Sequence, residues 1–491
     1  MSRSLRVAIL HYHLKRGGVT RIIESTLSGF QSLGLSVDLK IFTGDIPNNF
    51  GYKGEALTVP SLRYDNAQAT PPTAETLFNE VTQAAKQAFG TAPDIWHIHN
   101  HSLGKNSAVS GLVNLLVAEK AALLLQMHDF AEDGRPENYT LLQNAPAGCD
   151  QLYPISDRIH YAVLNQRDHR HFLQTGVPTK QLHTLPNPVE GAPAENNPAT
   201  TQAILNKLGA KELCLYPVRA LRRKNFGEML LWAACAESGQ VFANTLGPTN
   251  ENYQAAYNDW RGFANELKLP VHFSIGEANS WSFPKIVAAA NAILTTSIAE
   301  GFGMGFLEPW LFDKPIIGRD LPEITADFKR AGLQLETLYS SLPIPEEWID
   351  LNALKRKLQT GLEGAYAAYQ IPLPANAAER ALAAIQQPNG IDFGGLDESL
   401  QKQVITHVCK DKDARQHLRQ FLNLPTNEDS ASRIHNRTIC EQHYSLRAYT
   451  ENLHLLYQEL IQTNESPTKY LDAKALLKTF LQPENFRLLR T

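Results

Sequence analysis

No apolar run in this 491-residue chain approaches the roughly 20 residues that span a bilayer as a helix. The first ten residues hold only a four-residue apolar run, 7–10, too short for the core of a secretion signal. The five cysteines, Cys149, Cys214, Cys235, Cys409 and Cys440, lie far apart and form no C-x-x-C pair. Their odd number argues against a disulfide framework and for reduced thiols in a cytoplasmic protein. Charge of one sign is also missing: 46 basic residues face 50 acidic ones, the net charge is −4, and there is no polybasic block. Nothing therefore draws the chain to nucleic acid or an anionic membrane, and no integral membrane association is expected. The dinucleotide pattern G-x-G-x-x-G is absent after the first apolar run.

What is present describes a globular protein, with 43% apolar and 20% charged residues. A chain of 491 residues outgrows one hydrophobic core, so two domains are expected. Short strand-like runs at 7–10, 37–42, 95–98, 121–127 and 160–164 alternate with helical patterns such as Ile22, Ile23, Leu27 and Phe30. A segment rich in proline, alanine and asparagine, 185–201, interrupts this and reads as a linker. The alternation then restarts at 213–218, 241–246, 271–275, 292–295 and 315–317. Two doubly wound α/β units in series follow, 1–190 and 201–335, with ligands expected outside the carboxyl ends of their strands. A helical insertion is expected over 336–430, where strands give way to helical spacing between about 335 and 424, and further helices over 431–491. The stripe Leu446, Tyr449, Leu453, Leu456, Tyr457 and Leu460 predicts a long helix over 444–461.

Three clusters could carry chemistry. Gly17 and Gly18 follow the first strand, where glycines before a helix let a ligand approach main-chain amides. A tight strand-to-helix turn explains them equally well. Arg219, Arg222, Arg223 and Lys224 follow the first strand of the second unit and could neutralise a nucleotide diphosphate. Taken alone, that run reads as a solvated basic loop. Glu300 and Glu308, with seven residues between them, flank the glycine-rich turn Gly301, Gly303, Gly305 at the start of a helix expected over 305–312. Amides and the helix dipole there suit a diphosphate, and two carboxylates suit sugar hydroxyls.

Together these clusters resemble the retaining family-four glycosyltransferases of GT-B fold: a glycine pair, an arginine and lysine five positions apart, and the E-x7-E element, in that order. The phrases 185–189 and 270–276 also look like landmarks of that family, and the resemblance covers residues 6–323. It implies two Rossmann-like domains facing a cleft, the first binding the acceptor and the second the nucleotide-sugar, with 444–461 crossing back to the first. It further implies that Glu308 holds the ribose and Glu300 the transferred sugar. Arg219 and Lys224 would stabilise the leaving diphosphate, helped by amides of Gly303, Met304, Gly305 and Phe306. Ile275, Gly276 and Glu277 would meet the base, and His128 the donor sugar. The charge-dense stretch after His128 offers Asp129 and Arg135 as acceptor contacts, or else a solvated loop, and His99, ending a neighbouring strand, is a third acceptor contact. His97, His99 and His101 alternate as zinc ligands can, yet no cysteine completes a set, so no metal site is read there. Asp411 and Asp413 superficially match a metal-binding D-x-D but lie in a helical segment and read as surface charge.

The expected activity is transfer of a hexose with retention, by front-face substitution, with no metal and no cofactor. The expected partners are a nucleotide-sugar, UDP-glucose first and GDP-mannose second, and a small polar or saccharide acceptor. The alternatives are a GT-B phosphorylase, a nucleotide-sugar epimerase, or a silent GT-B scaffold subunit. Oligomeric state leaves no mark in the sequence.

Overall fold

The computed structural model describes residues 4–191, 197–278, 281–422 and 430–490. The chain forms two compact units. The first comprises Met1–Pro188, Tyr366–Ile371 and Tyr444–Gln482, and the second Val189–Ala365, Pro372–His443 and Pro483–Thr491. The segment expected as a separate helical insertion is thus divided: most clusters with the second unit, and Tyr366–Ile371 with the first. Residues 192–196 of the expected linker lie outside the described residues, as do 423 and 424 at the end of the helical stretch.

The strands of the first unit are β1 (Leu5–His11), β2 (Val37–Thr43), β3 (Ala56–Thr58), β4 (Ile95–His99), β5 (Leu123–Met127), β6 (Pro154–Ile155), β7 (Ile159–Val163) and β8 (Leu182–Thr184). Seven of them form one sheet in the order β3-β2-β1-β4-β5-β7-β8, with every neighbouring pair parallel. Parallel strands are covered on both faces, which is why β1 reads as a continuous apolar run. Val7 and Ile9 pack on one side with Leu124 and Ala162, while Ala8 and Leu10 pack on the other with Trp96 and Leu125. The helix Leu446–Ile461 starts where the Ser445 hydroxyl accepts from the Ala448 amide. Its buried stripe lies against helix Gly18–Ser32 within this unit, so close that a Cβ on Gly29 would sit 1.9 Å from the Thr450 hydroxyl oxygen.

The second unit has strands β9 (Glu212–Arg219), β10 (Gln240–Leu246), β11 (Val271–His272), β12 (Ala292–Thr295), β13 (Ile316–Arg319) and β14 (Leu338–Tyr339), in the parallel order β11-β10-β9-β12-β13-β14. The strand expected over 271–275 stops at His272. Ser274 takes a left-handed conformation (φ 54°) and Ile275–Ala278 is a helical turn. The stretch expected to be purely helical also holds β15 (Pro343–Ile344), β16 (Gln386–Gln387) and β17 (Gly390–Asp392), an antiparallel sheet in the order β15-β17-β16. A short β18 (Lys469–Tyr470) pairs with β6 in the first unit. Arg319, at the end of β13, is buried between Glu228 and Asp392, 2.7 and 2.8 Å from their oxygens. Among the described residues no helix is long and apolar enough to cross a membrane.

Candidate active site

In both sheets the strand order reverses beside the first strand, between β1 and β4 and between β9 and β12. Loops leaving the carboxyl ends of those strands diverge and leave room for a ligand. The sequence-predicted residues stand at these two places, one set in each unit.

In the second unit, β9 runs into the 3₁₀ turn Arg222–Lys224, and Asn225 follows in the left-handed region at φ 52°. The turn is locked to the loop after β12. The Ile298 amide donates to the Arg223 carbonyl at 3.0 Å. The Thr296 and Tyr216 hydroxyls donate to the Lys224 carbonyl at 3.0 and 2.9 Å. These bonds bring the Lys224 ammonium onto one oxygen of Glu300, while Arg223 donates to the other at 2.8 Å. Burial alone would raise the Glu300 carboxyl, but Lys224 and Arg223 outweigh it and hold it down to about 2. Burial draws the Lys224 ammonium below its ordinary value, with Glu300 opposing. The pair is therefore charged at neutral pH. Arg219 lies 3.5 Å from the Gly247 carbonyl after β10. A Cβ on Gly247 would sit 3.3 Å from a Glu277 carboxylate oxygen. The Gly276 main chain is likewise close, 3.0 Å from the Thr245 carbonyl by the same measure. Arg219, Lys224, Glu300 and Ile275–Ala278 thus stand at the carboxyl ends of β9, β12 and β11, with β10 between β11 and β9.

The E-x7-E loop differs from expectation in its helix. Residues 305–312 do not form one helix: a 3₁₀ turn Met304–Phe306 precedes a single turn, Glu308–Leu311. Pro309 has no amide to donate and fits only the first turn of a helix, and Asp313 at φ 57° ends it. A four-residue helix carries little dipole, so the phosphate attraction expected from it falls to individual amides and side chains. The Phe306 amide is committed to the Gly303 carbonyl at 2.9 Å. Gly305 is exposed, and a Cβ there would meet nothing within 4 Å, so a ligand can approach the main chain at that point. Gly303 needs its left-handed φ of 88° to turn the chain. Glu308 is half-buried at the start of the short helix.

In the first unit, Gly17 and Gly18 are exposed at the start of helix Gly18–Ser32. His128 follows β5, and its amide and that of Asp129 both donate to the Asn100 side-chain oxygen, at 2.7 and 3.1 Å. Asn100, left-handed at φ 56°, is itself fixed by the Tyr12 hydroxyl, which donates to its carbonyl at 2.7 Å. His99 Nδ1 and His128 Nε2 are 2.8 Å apart. Burial pushes His128 down to about 4, with Asp129 opposing, and lowers His99 and His11 well below the ordinary histidine value. These imidazoles are neutral at physiological pH and act as hydrogen-bonding groups, not charges. Asp129 and Arg135 pair with each other, and Arg135 also donates to the Phe130 carbonyl at 2.8 Å.

His97 and His99 stack at 4.4 Å, but the alternating histidines take different hydrogen-bond partners. His97 Nε2 donates to the Gln126 side-chain oxygen at 2.9 Å and its Nδ1 accepts from Tyr457 at 2.7 Å, while His101 donates to the Leu152 carbonyl. Asp411 caps helix Lys412–Arg419 by accepting from the Asp413 and Ala414 amides. Sequence reasoning missed Arg223 as a partner of Glu300, Asn100 as the strut under His128, His13 beside Tyr64 and His11 beside His99. The alternation of His11 and His13 at the end of β1 was the available signal.

No family model matches the chain. It is 25% identical over 515 residues, 98% of either chain, to a mannosylglucosyl-3-phosphoglycerate synthase of Petrotoga mobilis. Among solved structures it superposes on Anabaena HepE in complex with UDP-glucose with a TM-score of 0.52 and 12% identity, covering 92% of this chain and 99% of that one. A glycosyltransferase of Rickettsia africae gives 0.52 at 12% identity over 94% and 99%. WaaG, a glycosyltransferase of lipopolysaccharide biosynthesis, gives 0.52 at 13% identity over 92% and 99%. The fold is that of GT-B glycosyltransferases.

Proposed function

We propose that this GT-B glycosyltransferase moves a hexose, with retention, from a nucleoside-diphosphate sugar to a hydroxyl of a small phosphorylated saccharide, by a route that calls on no metal. One observation carries the reading: the charge cluster at the ends of β9 and β12. Lys224 and Arg223 together hold one carboxylate, Glu300, and Arg219 stands beside the Gly247 carbonyl, so positive groups are fixed at the mouth of this turn. That is the complement of a diphosphate.

Lys224 and Arg219 stabilise the departing diphosphate as its charge develops, and the loops already hold Lys224 in place, so little reorganisation is needed. Glu300, ionised at every physiological pH, accepts hydrogen bonds from hydroxyls of the transferred sugar. Glu308 takes the ribose, the turn at Gly303, Met304 and Gly305 receives phosphate oxygens, and Ile275, Gly276 and Glu277 meet the base. His128, neutral and propped by Asn100 and His99, offers a hydrogen bond to the donor sugar. Asp129 and Arg135 face the acceptor. The diphosphate accepts the proton of the attacking hydroxyl as the glycosidic bond forms on the leaving-group face.

The name of the Petrotoga relative supports a mannosyl group as the cargo and a glucosyl-3-phosphoglycerate as the acceptor. GDP-mannose therefore comes ahead of UDP-glucose. Such an acceptor is small and water-soluble, which suits a cytoplasmic enzyme with reduced thiols. The test incubates the protein with GDP-mannose or UDP-glucose, with and without glucosyl-3-phosphoglycerate, and follows the anomeric proton by NMR. An acceptor-dependent product of unchanged anomeric configuration is expected. Inversion, epimerised nucleotide-sugar without acceptor, or no turnover of any nucleotide-sugar would overturn the reading.

A further inference from the structure

Away from the carboxyl end of the first unit's sheet, two strands and the last long helix bring three metal-binding side chains to one point. His160 lies on β7 and His183 on β8, which pairs through Ala162↔His183. Positions 160 and 162 share a face of β7, so both imidazoles stand on the same side of the sheet. Their rings stack at 4.8 Å, and His160 Nδ1 is 2.9 Å from His183 Nε2. Glu459, on helix Leu446–Ile461, covers this face. Its carboxylate and the two ring nitrogens all lie within 4.8 Å of one another. His160 is buried, His183 half-buried and Glu459 exposed, so an ion can enter from solvent.

The chemistry of the three groups fits a metal. A single proton joins the two imidazole nitrogens, so one of them presents a lone pair to the other. The His160 ring also hydrogen-bonds the main chain of Asp157, the kind of outer contact that fixes the orientation of an imidazole ligand. Lys180, the nearest cation to His160, is paired with Asp157 at 2.6 Å. Tetrahedral zinc, with bonds of about 2.0–2.2 Å, places its ligand atoms roughly 3.3 Å apart. The histidine nitrogens need to part by about 0.4 Å, and Glu459 needs only a side-chain rotation at an exposed position.

We propose that His160, His183 and Glu459 form a binding site for a divalent transition-metal ion of the zinc class, with water as fourth ligand. The site is a structural clamp. His160 is in register with Leu124, four residues before His128, and so stands about 13 Å along the strands from the residue expected beside the sugar. A metal there ties the last long helix to the edge of the sheet.

Cobalt(II), titrated into the metal-stripped full chain, provides the test. The wild type should develop visible d–d bands of four-coordinate cobalt that zinc abolishes, and its Tm should rise with zinc concentration. Glu459→Gln, at an exposed helical position, should weaken cobalt binding by about tenfold or more. His183→Gln combined with Glu459→Gln should lose both the bands and the Tm rise, while melting in EDTA stays near that of the wild type. No bands in the wild type, or bands and Tm rise retained in the double variant, would overturn the proposal.

Discussion

Replacing Lys224 by methionine keeps most of its stem and removes its charge, and the consequences can be worked from its contact with Glu300. A carboxyl held at about 2 instead of its ordinary 4.5 has its ionised form favoured by about 3 kcal/mol. Two cations share that work: Lys224 on one oxygen, and Arg223 on the other at 2.8 Å. Only 14% of the Lys224 and Glu300 side chains is exposed, so solvent screens the pair weakly. A neighbouring cation lowers a carboxyl by about one to three pKa units, so in the variant Glu300 should titrate between about 3 and 5. Turnover should fall by about two to three orders of magnitude, from about 3–4 kcal/mol of lost charge stabilisation at the leaving group. With that carboxyl titrating near the top of this range, an acid limb should also appear in the pH–rate profile, whereas that of the wild type should be flat between pH 4.5 and 7. The assay is initial rate at saturating donor, measured from pH 4.5 to 8 under conditions where both proteins stay folded by circular dichroism. A variant within about fivefold of the wild type would refute the assignment of Lys224 to the leaving diphosphate.

Three further outcomes concern stability. Arg319→Met leaves Glu228 and Asp392 buried without their shared cation and should cost about 3–5 kcal/mol in urea unfolding; a loss below about 1 kcal/mol would show that the triad is not cohesive. Gly29→Ala should destabilise by about 1–3 kcal/mol although alanine is the better helix former, because its Cβ would lie 1.9 Å from the Thr450 hydroxyl. Adding Thr450→Ala should recover most of that loss, and a single variant more stable than wild type would contradict the packing. Glu132, raised by burial to about 7 while accepting from Tyr153 at 2.9 Å, binds its proton more tightly folded than unfolded. It favours the native state below about pH 4.5, and that contribution is lost as pH rises through about 7. Relative to Glu132→Gln, wild-type stability should therefore decline between pH 5 and 8, by up to about 3 kcal/mol, and parallel pH profiles would refute it.

Much of the fold was legible because its signals are local. The buried parallel strands carry short apolar runs whatever their partners, such as 7–10 in β1, and β9 and β12 were placed to within a residue or two. The misreadings were also local but concerned where an element stops. Phe273 and Ile275 extend the apolar pattern of β11, but the left-handed Ser274 between them turns the chain, and no periodicity records a φ angle. Pro309 is the local mark that limits the helix after Gly305, since proline suits only a first turn.

What no local pattern carries is the identity of a distant partner. The basic run 219–224 reads by itself as a solvated loop, yet in the fold each cation has its own contact. Arg222 pairs with Glu398, Arg223 and Lys224 with Glu300, and Arg219 lies beside the Gly247 carbonyl. Behind them Asn225 donates to Glu228 and accepts from Gln401, which joins the loop to the buried Arg319 triad. These partners come from as many as 176 residues away. A loop tied from both sides in this way is ordered before any ligand arrives. In the proposed reaction, donor binding would then order few new side chains, and the positive charge would already be aimed when the diphosphate begins to leave. The helical segment after β14, which supplies Glu398 and Gln401, therefore supports the loop proposed to bind the donor.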